Sequence, residues 1–270
     1  MRGASRASYA ELRERLDAVV HGPVLADLIG DELFAVVRLF DSEHGLRRAL
    51  ADPTKPSQEK AEVARRLLHG KVSPEAEDLV AEAAAARWAT PGDMADALEQ
   101  LAIEAFTLAA QYGGTLDDLE DDLFRFGRLV SGQPSLRSAL IGPAPVGAKQ
   151  SLLSNLLDGK VSTPSLKLIT QVLTHPRGRS PQAVLDLSAA IAARRREQLI
   201  AVVRVPTELT VQQRRRLKAT LTEAYGQGIH LNVVHDPAVI GGMSVQIGDE
   251  LIDGTAASRL AAVRRKLAAG

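Results

Sequence analysis

Apolar residues recur every three or four positions along the first two-thirds of the chain, a spacing that predicts consecutive amphipathic helices. The clearest runs are Tyr9, Leu12, Leu16 and Val19; Leu98, Leu101, Ala105, Leu108 and Tyr112; and Leu116, Leu119, Leu123, Phe126 and Val130. A hydroxyl residue before a proline marks a helix start, because the hydroxyl caps free amides and proline suits the first turn. Such pairs are Ser73-Pro74, Thr90-Pro91, Thr163-Pro164 and Ser180-Pro181.

The pattern changes after residue 198. Leu199 to Val205 is rich in β-branched residues and ends at Pro206, which predicts a strand. Thr210 with Gln213 predicts the start of a helix that ends near Gly226 and Gly228. Further strands are predicted at 229–234, at 243–247 and, after a Gly248-Asp249 turn, at Leu251-Ile252, and Thr255 is expected to cap a last helix carrying Leu260, Val263 and Leu267.

The helical region contains an internal repeat. Residues 31–53 align without gaps to residues 121–143 and share 10 of 23 positions. The match resumes after a one-residue slip, with 67–73 aligned to 156–162. The identical pairs begin at Asp31, Leu33, Phe34, Arg38, Leu39, Leu46, Arg47, Ala49, Leu50 and Pro53. A helical unit has therefore been duplicated.

These patterns predict a mainly α protein, with tandem helical bundles from an internal duplication and a small α/β domain at the C-terminus. The predicted domains are an N-terminal helical bundle at 1–113, a second helical repeat at 114–198 and an α/β domain at 199–270. Aromatic residues are only 3% of the chain, so the cores must be built from aliphatic side chains.

Composition excludes several classes of protein. The chain has no cysteine, which excludes disulfides and thiolate chemistry, and its formal net charge is +0, which gives no overall attraction to nucleic acid or anionic lipid. The polar N-terminal segment does not resemble a signal peptide, and no apolar run reaches the roughly 20 residues that span a bilayer. We expect no direct membrane insertion and no nucleic-acid partner.

Motifs that bind phosphate or metal fail on inspection. Gly70-Lys71 and Gly159-Lys160 lack the other residues of a phosphate-binding loop, and their recurrence in the repeat favours glycines that end helices. The six histidines have no helical metal-ligand spacing. We therefore expect no catalytic residue, no cofactor and no metal site.

Three other features have structural interpretations as well as functional ones. The acidic run at 117–122 is interpreted as solvated residues in the first turns of a helix, rather than as a catalytic pair. The arginine triplets 194–196 and 214–216 are interpreted as solvated helix faces, with contact to an acidic partner helix or to nucleic acid as alternatives. Trp88 is interpreted as a core residue, with a partner interface as the alternative.

Residues 235–255 carry a resemblance to a known family. The segment strongly resembles the signature of the delta subunit of F-type ATP synthases, a family that includes the mitochondrial oligomycin-sensitivity-conferring protein. The matching residues are Asp236, Pro237, Ile240, Gly241, Gly242, Ile247, Gly248, Ile252, Asp253 and Gly254. Thr255 replaces the usual serine. Members commonly have one helical domain, so this chain resembles the lengthened delta subunits of some bacteria.

The resemblance implies a stator subunit without catalytic activity. Its expected partners are the alpha (and beta) subunits of the catalytic head and the b subunit of the peripheral stalk, at the cytoplasmic face of the cell membrane. Helical periodicity combined with the resemblance places the alpha-subunit interface at Tyr9, Leu12, Leu16, Leu79, Val80 and Ala83. Two questions stay open: which repeat binds the head, and whether the chain is instead a helical scaffold of another complex.

Overall fold

The computed structural model describes residues 3–196, 199–226, 228–237, 239, 241–247 and 250–254. The chain divides into two compact units, Met1–Arg195 and Arg196–Gly270, and each is described by itself. The first unit is helical and the second holds a small mixed sheet. The predicted mainly α fold with a C-terminal α/β region is confirmed. Ile240, Gly248 and the predicted last helix from Thr255 lie outside the described residues.

Helices follow one another through the first unit with short connections. Their bounds are α1 Ala4–Val19, α2 Pro23–Ser42, α3 His44–Leu50, α4 Ser57–Leu68, α5 Pro74–Ala85, α6 Pro91–Tyr112, α7 Leu116–Gly132, α8 Pro134–Ile141, α9 Val146–Leu157, α10 Thr163–Thr174 and α11 Pro181–Arg196. One continuous hydrophobic core takes side chains from both sides of residue 113. The predicted domain boundary at residues 113 and 114 stays a prediction.

Helix α6 lies at the centre of this unit. It contacts α1, α2, α3, α5, α7 and α10, and its side chains are buried on every face from Met94 to Ala110, apart from Asp96 and Gln100. The approach to α2 is close, because a Cβ at Gly30 would lie 2.8 Å from the Phe106 ring. In the first copy, α1 precedes α2 and contacts α5. Helix α6 stands in the same relation to α7 and α10. It is therefore both the last helix of the first copy and the first helix of the second.

The duplication is visible in matching turn geometry. Gly70 and Gly159 follow α4 and α9 at φ +70° and +69°, left-handed conformations that glycine adopts without strain. They are the helix-ending glycines that the repeat predicted. The hydroxyls of Ser73 and Ser162 accept bonds from the third amide of α5 and α10. Ser162, rather than the predicted Thr163, caps α10, because its extended backbone aims the hydroxyl back at the helix amides.

A carboxylate fixes the start of α5 and of α10 from the neighbouring helix. Glu32 of α2 accepts the Ser73 amide at 2.8 Å and the Ser73 hydroxyl at 2.5 Å. Asp122 of α7 accepts the Ser162 amide at 3.2 Å. Asp122 is buried, so this member of the acidic run is not the solvated residue expected from sequence. The same tertiary cap therefore holds each copy.

Other sequence features have clear positions. Thr90 and Ser180 cap α6 and α11 as predicted, through bonds from the amides three residues on. Trp88 is 6% exposed and donates its indole N–H to the Ala83 carbonyl at 2.7 Å, which confirms the core interpretation.

The second unit contains a four-stranded sheet in the order β2-β1-β3-β4. Strand β1 is parallel to β2, whereas β3 is antiparallel to β1 and to β4. A capping box at Thr210 and Gln213 opens α12, and Gly226 ends it at φ +67°, both as predicted. The bounds are β1 Leu199–Val205, α12 Val211–Tyr225, β2 Ile229–His235, β3 Ser244–Ile247 and β4 Glu250–Asp253.

We expect Glu32→Ala to destabilise the helical unit by about 1–3 kcal/mol, because a charged acceptor of two bonds is lost. Urea unfolding followed by circular dichroism measures the change. Glu62→Ala, on the exposed face of α4, is the matched control and should change stability by less than about 0.5 kcal/mol. Equal effects of the two substitutions would contradict the tertiary cap.

Candidate functional site

The six residues predicted to meet an alpha subunit lie inside the helical core. Tyr9 is 7% exposed, and Leu12, Leu16, Leu79, Val80 and Ala83 are each 2% exposed or less. The structure brings them together where α1 contacts α5. Binding through these side chains stays a prediction. Because they are buried within the chain, a partner on this side first meets the outer positions of α1 and α5.

An ion pair lies on that outer side. Arg15 Nε of α1 is 3.0 Å from Glu82 Oε1 of α5, and about a third of each side chain or more is exposed. Partial burial raises the pKa of Glu82, and the Arg15 charge offsets part of that shift. We name the surface around this pair the α1/α5 face.

A buried cluster of charges joins α1, α6 and α11. Arg195 Nη2 donates to Asp17 Oδ1 at 2.8 Å and to Glu104 Oε2 at 3.0 Å, and both the Arg195 and Glu104 side chains are fully buried. Arg13 Nε lies 2.8 Å from Glu104 Oε1. Burial by itself lowers the pKa of Arg195, but Asp17 and Glu104 outweigh it and the net shift is upward. The cluster thus places two basic side chains, Arg13 and Arg195, against two acidic ones, Asp17 and Glu104.

Tyr9 borders this cluster. Burial raises the pKa of its hydroxyl, and the charge of Glu104 raises it further. The phenol is therefore protonated at neutral pH and serves as packing rather than as a base.

The burial of Arg195 was missed in the sequence, where the triplet 194–196 was interpreted as solvated. Arg194 and Arg196 are exposed, and only the middle arginine is buried. The signal was present, because Val184, Ser188, Ile191 and Arg195 follow helical spacing on the buried face of α11. The triplet 214–216 is exposed or half-buried on α12, as expected for a largely solvated face.

A second network fixes the loop between α10 and α11 to the first copy. Arg177 donates from Nε to Asp41 at 2.7 Å, and from Nη1 to Asp96 and Glu99 at 2.8 Å each. Arg179 pairs with the other oxygen of Glu99. Arg177 holds a left-handed backbone at φ +51°, which costs free energy for a residue with a Cβ. Its three carboxylate partners offset that cost.

A third network connects α10 to α2. Lys167 pairs with Asp27, and with Asp31 at 3.2 Å. Gln171 donates to Asp31 at 3.0 Å and accepts from Arg38 at 3.0 Å. Burial lowers the pKa of Lys167, but the bonds to Asp27 and Asp31 dominate and raise it overall. The second copy is thus held against the first by polar contacts from two successive turns of α10, at Lys167 and Gln171.

The residues of the C-terminal signature shape a turn and one edge of the sheet. Gly241 and Gly242 have φ of +64° and +83°, where a side chain is strained. The Asp236 amide donates to the Val205 carbonyl at 2.9 Å, beside Pro237, and joins the end of β2 to β1. Ile247 packs in the sheet core and pairs across the ladder with Glu250.

Strand β4 completes this edge. Ile252, on β4, pairs with Val245, and its neighbour Asp253 pairs with Ser244. The Gly254 amide donates to the Met243 carbonyl at 3.0 Å, where a Cβ on Gly254 would lie only 3.2 Å from that oxygen. The signature therefore fixes backbone shape, and its buried side chains are apolar.

In the part of the chain that the structure describes, no cluster of three or more side chains is arranged to hold a metal ion. No described helix is long and apolar enough to cross a membrane.

A helical body with paired buried charges, followed by a small mixed sheet with a glycine turn, defines a mainly α protein with a small α/β unit at its C-terminus. A sequence-family model described as "ATP synthase delta (OSCP) subunit" matches residues 100–267. This chain belongs to that family. It is a structural subunit of an ATP synthase rather than a catalytic one.

Curated relatives match the chain from end to end. A protein named "ATP synthase subunit delta" from Thermobifida fusca is 46% identical over 269 residues, covering 99% of this chain and 100% of its own. Relatives of the same name from Streptomyces griseus and Kineococcus radiotolerans are 46% and 43% identical, over 99% and 98% of this chain and 100% and 97% of theirs. The two-copy length is therefore shared with these relatives.

One solved structure, the "Cryo-EM structure of Toxoplasma gondii mitochondrial ATP synthase hexamer, composite model", is 18% identical and superposes with a TM-score of 0.29. It covers 62% of this chain and 96% of the other. A superposition this weak carries no argument about the fold.

We expect Arg195→Ala to destabilise the helical unit by about 3–5 kcal/mol, because the fully buried Glu104 would lose one of its two cationic partners and keep only Arg13. The adjacent Arg194→Ala removes an exposed arginine and should change stability by less than about 0.5 kcal/mol. Urea unfolding of the two variants measures the difference. A loss below about 1 kcal/mol for Arg195→Ala would show that the cluster is not what holds α11 in place.

We expect Gly241→Val to lower stability by about 1–2 kcal/mol or more, because valine is strained at φ +64°. Gly147→Val, in α9 with nothing near the added Cβ, serves as control. Thermal unfolding and assembly with the stalk are the readouts. Native melting together with normal assembly of Gly241→Val would refute the shape role of the signature.

Proposed function

We propose that this chain is the stator subunit that links the catalytic head of an F-type ATP synthase to the b subunit of its peripheral stalk. It holds the alpha and beta subunits of the head against rotor torque during ATP synthesis, at the cytoplasmic face of the cell membrane. Family membership carries this proposal.

The construction of the helical unit supports a mechanical role. Torque on a connector deforms its weakest internal contact first, so two loosely joined copies would shear apart. Here both copies share α6 and one core, and buried or partly buried ion pairs join them at α1, α2 and α6. Breaking the Arg195–Glu104 pair leaves a fully buried charge, which costs several kcal/mol. The unit therefore deforms as a single body.

We place the head-binding site on the first copy, at the α1/α5 face. In the second copy, α10 is the counterpart of α5, and α6 occupies the position that α1 holds in the first. The side of α10 turned toward the first copy pairs with α2 through Lys167 and Gln171. A partner helix has no equivalent access there, so the α1/α5 face is the one of these two faces that we assign to the head.

Calorimetric titration of the full chain with a peptide of the alpha-subunit N-terminus tests this proposal. Deleting residues 1–20 is unsuitable, because α1 contributes buried side chains to the core. Glu82→Lys instead reverses a half-exposed charge at the rim and should weaken binding about three- to tenfold, roughly 1 kcal/mol. Electrostatic complementarity at an interface rim supplies the reason.

Glu223→Lys, an exposed reversal on α12, is the matched control and should leave binding unchanged. Unchanged binding of folded Glu82→Lys would remove the α1/α5 face from the proposal. Absence of binding by the folded wild-type chain would contradict the head-linking function itself.

A further inference from the structure

One face of α2 carries five residues in a row. Four of them bind α10 or the loop that follows it, and the fifth covers the core. Asp27, Asp31, Phe34, Arg38 and Asp41 follow the three- and four-residue spacing of a single helix face. We name them the α2 stripe. Four of the five bind the second copy directly, through Lys167, Gln171 and Arg177 in the contacts described above. The remaining member, Phe34, is 4% exposed.

The same stripe recurs on α7, 90 positions later. Its members, the α7 stripe, are Asp117, Asp121, Phe124, Arg128 and Ser131, and the first four are identical to their counterparts. All five residues are exposed. Asp121 pairs with Arg125 one turn along α7 at 2.9 Å, and Ser131 donates to Gln182 of α11 at 2.5 Å. The second copy therefore retains most of the surface by which the first copy binds a helix, and its Asp117, Phe124 and Arg128 stay exposed in the described unit.

Phe124 lacks the aromatic cover that its counterpart in the first copy has. Its counterpart Phe34 is covered by α6, with the Phe34 and Phe106 ring centroids 6.1 Å apart. Helices α6 and α11 both begin at a capped proline, Pro91 and Pro181, which lie 90 positions apart. The counterpart of Phe106 is therefore Arg196, an exposed residue at the end of α11. Phe124 is consequently 61% exposed, and only the Arg128 guanidinium stacks on it, 6.0 Å from the ring centroid.

A groove runs beside the α7 stripe, between α7 and α11. Its cavity of about 410 Å³ is lined by Leu123, Gly127, Gln182, Leu185 and Asp186, together with stripe residues. The corresponding groove of the first copy, between α2 and α6, receives Arg177 through Asp41, Asp96 and Glu99. In the second copy these positions are Ser131, Asp186 and Ala189, so the groove has one carboxylate where the first has three.

We propose that the α7 stripe and its groove bind an amphipathic helix of the peripheral-stalk b subunit. By analogy with α10, that helix presents a basic side chain to Asp117 and Asp121, a hydrogen-bond acceptor to Arg128 and an apolar side chain to Phe124. Because this groove has fewer carboxylates than the groove that holds Arg177 in the first copy, it favours an apolar side chain of the partner helix over an arginine. Helix-in-groove recognition of this kind rests on a few anchors.

The occupant is another subunit rather than a second copy of this chain. Among the described helices of this chain, α10 is the one that binds such a stripe, and it is already engaged by α2. The assignment to the stalk rests on the proposed function, since a connector needs separate faces for two partners and the α1/α5 face is assigned to the head.

Binding of the full chain to purified b subunit of the same ATP synthase tests this site. Phe124→Asp and Arg128→Glu should each weaken binding at least tenfold, because an anchor is lost or its charge reversed. The matched controls are Ile141→Asp, at the same 61% exposure, and Arg137→Glu, an exposed arginine of α8. Both controls should bind within twofold of wild type, and all four variants should melt like wild type.

Titration with the alpha-subunit peptide runs in parallel and should be unchanged in every variant. Stalk binding of Phe124→Asp and Arg128→Glu within twofold of wild type would overturn the site while leaving the linking function intact. Failure of wild type to bind b subunit would contradict the linking function itself. Sedimentation that finds a dimer of the chain, abolished by Phe124→Asp, would also overturn the proposal by showing a second copy in the groove.

Discussion

Two buried carboxylates on α6 constrain the rest of the helical unit. Glu99 and Glu104 lie on a helix that is covered on nearly every face, and an ionised carboxylate in such a place costs several kcal/mol unless it is paired. Arg13 of the first copy supplies one partner for Glu104. The other partners, Arg177, Arg179 and Arg195, belong to the second copy. The first copy therefore cannot bury its central helix at low cost without the second.

This dependence gives the two copies different surfaces although they descend from one unit. The first copy uses its α2 stripe internally, to hold α10 and the loop that follows it. The second copy has a stripe on α7 that is identical at four of five positions, and within the described helical unit its side chains are exposed. A tandem repeat whose units bind one another ends with an unused binding face, and capping or a partner must deal with it. In a connector, that end face is available for a second partner.

Much of this architecture could be predicted from the sequence. Helical periodicity and capping pairs gave the helices, the β-branched runs gave the strands, and the 10 identities between 31–53 and 121–143 gave the duplication. What periodicity reports, however, is the buried face of a helix. Tyr9, Leu12 and Leu16 were predicted as an interface for that reason, and they lie in the core.

Long-range pairing could not be predicted in the same way. Nothing local distinguishes Arg195 from Arg194 except its position on the apolar face, and its partners Asp17 and Glu104 lie far away in sequence. The α7 stripe was likewise hidden, because Asp117 and Asp121 belong to an acidic run that was interpreted as solvated residues in the first turns of a helix. Only the contacts of the matching residues on α2 reveal what such a stripe binds.

Native-state hydrogen exchange across the helical unit tests the central claim most directly, namely that the two copies form one cooperative body around α6. Buried amides of α2, α6, α10 and α11 should exchange with one common free energy, equal to that of global unfolding, and should respond equally to added denaturant. Exchange of α10 and α11 at a clearly lower free energy than α2 and α6 would show that the second copy opens by itself, and would contradict the account.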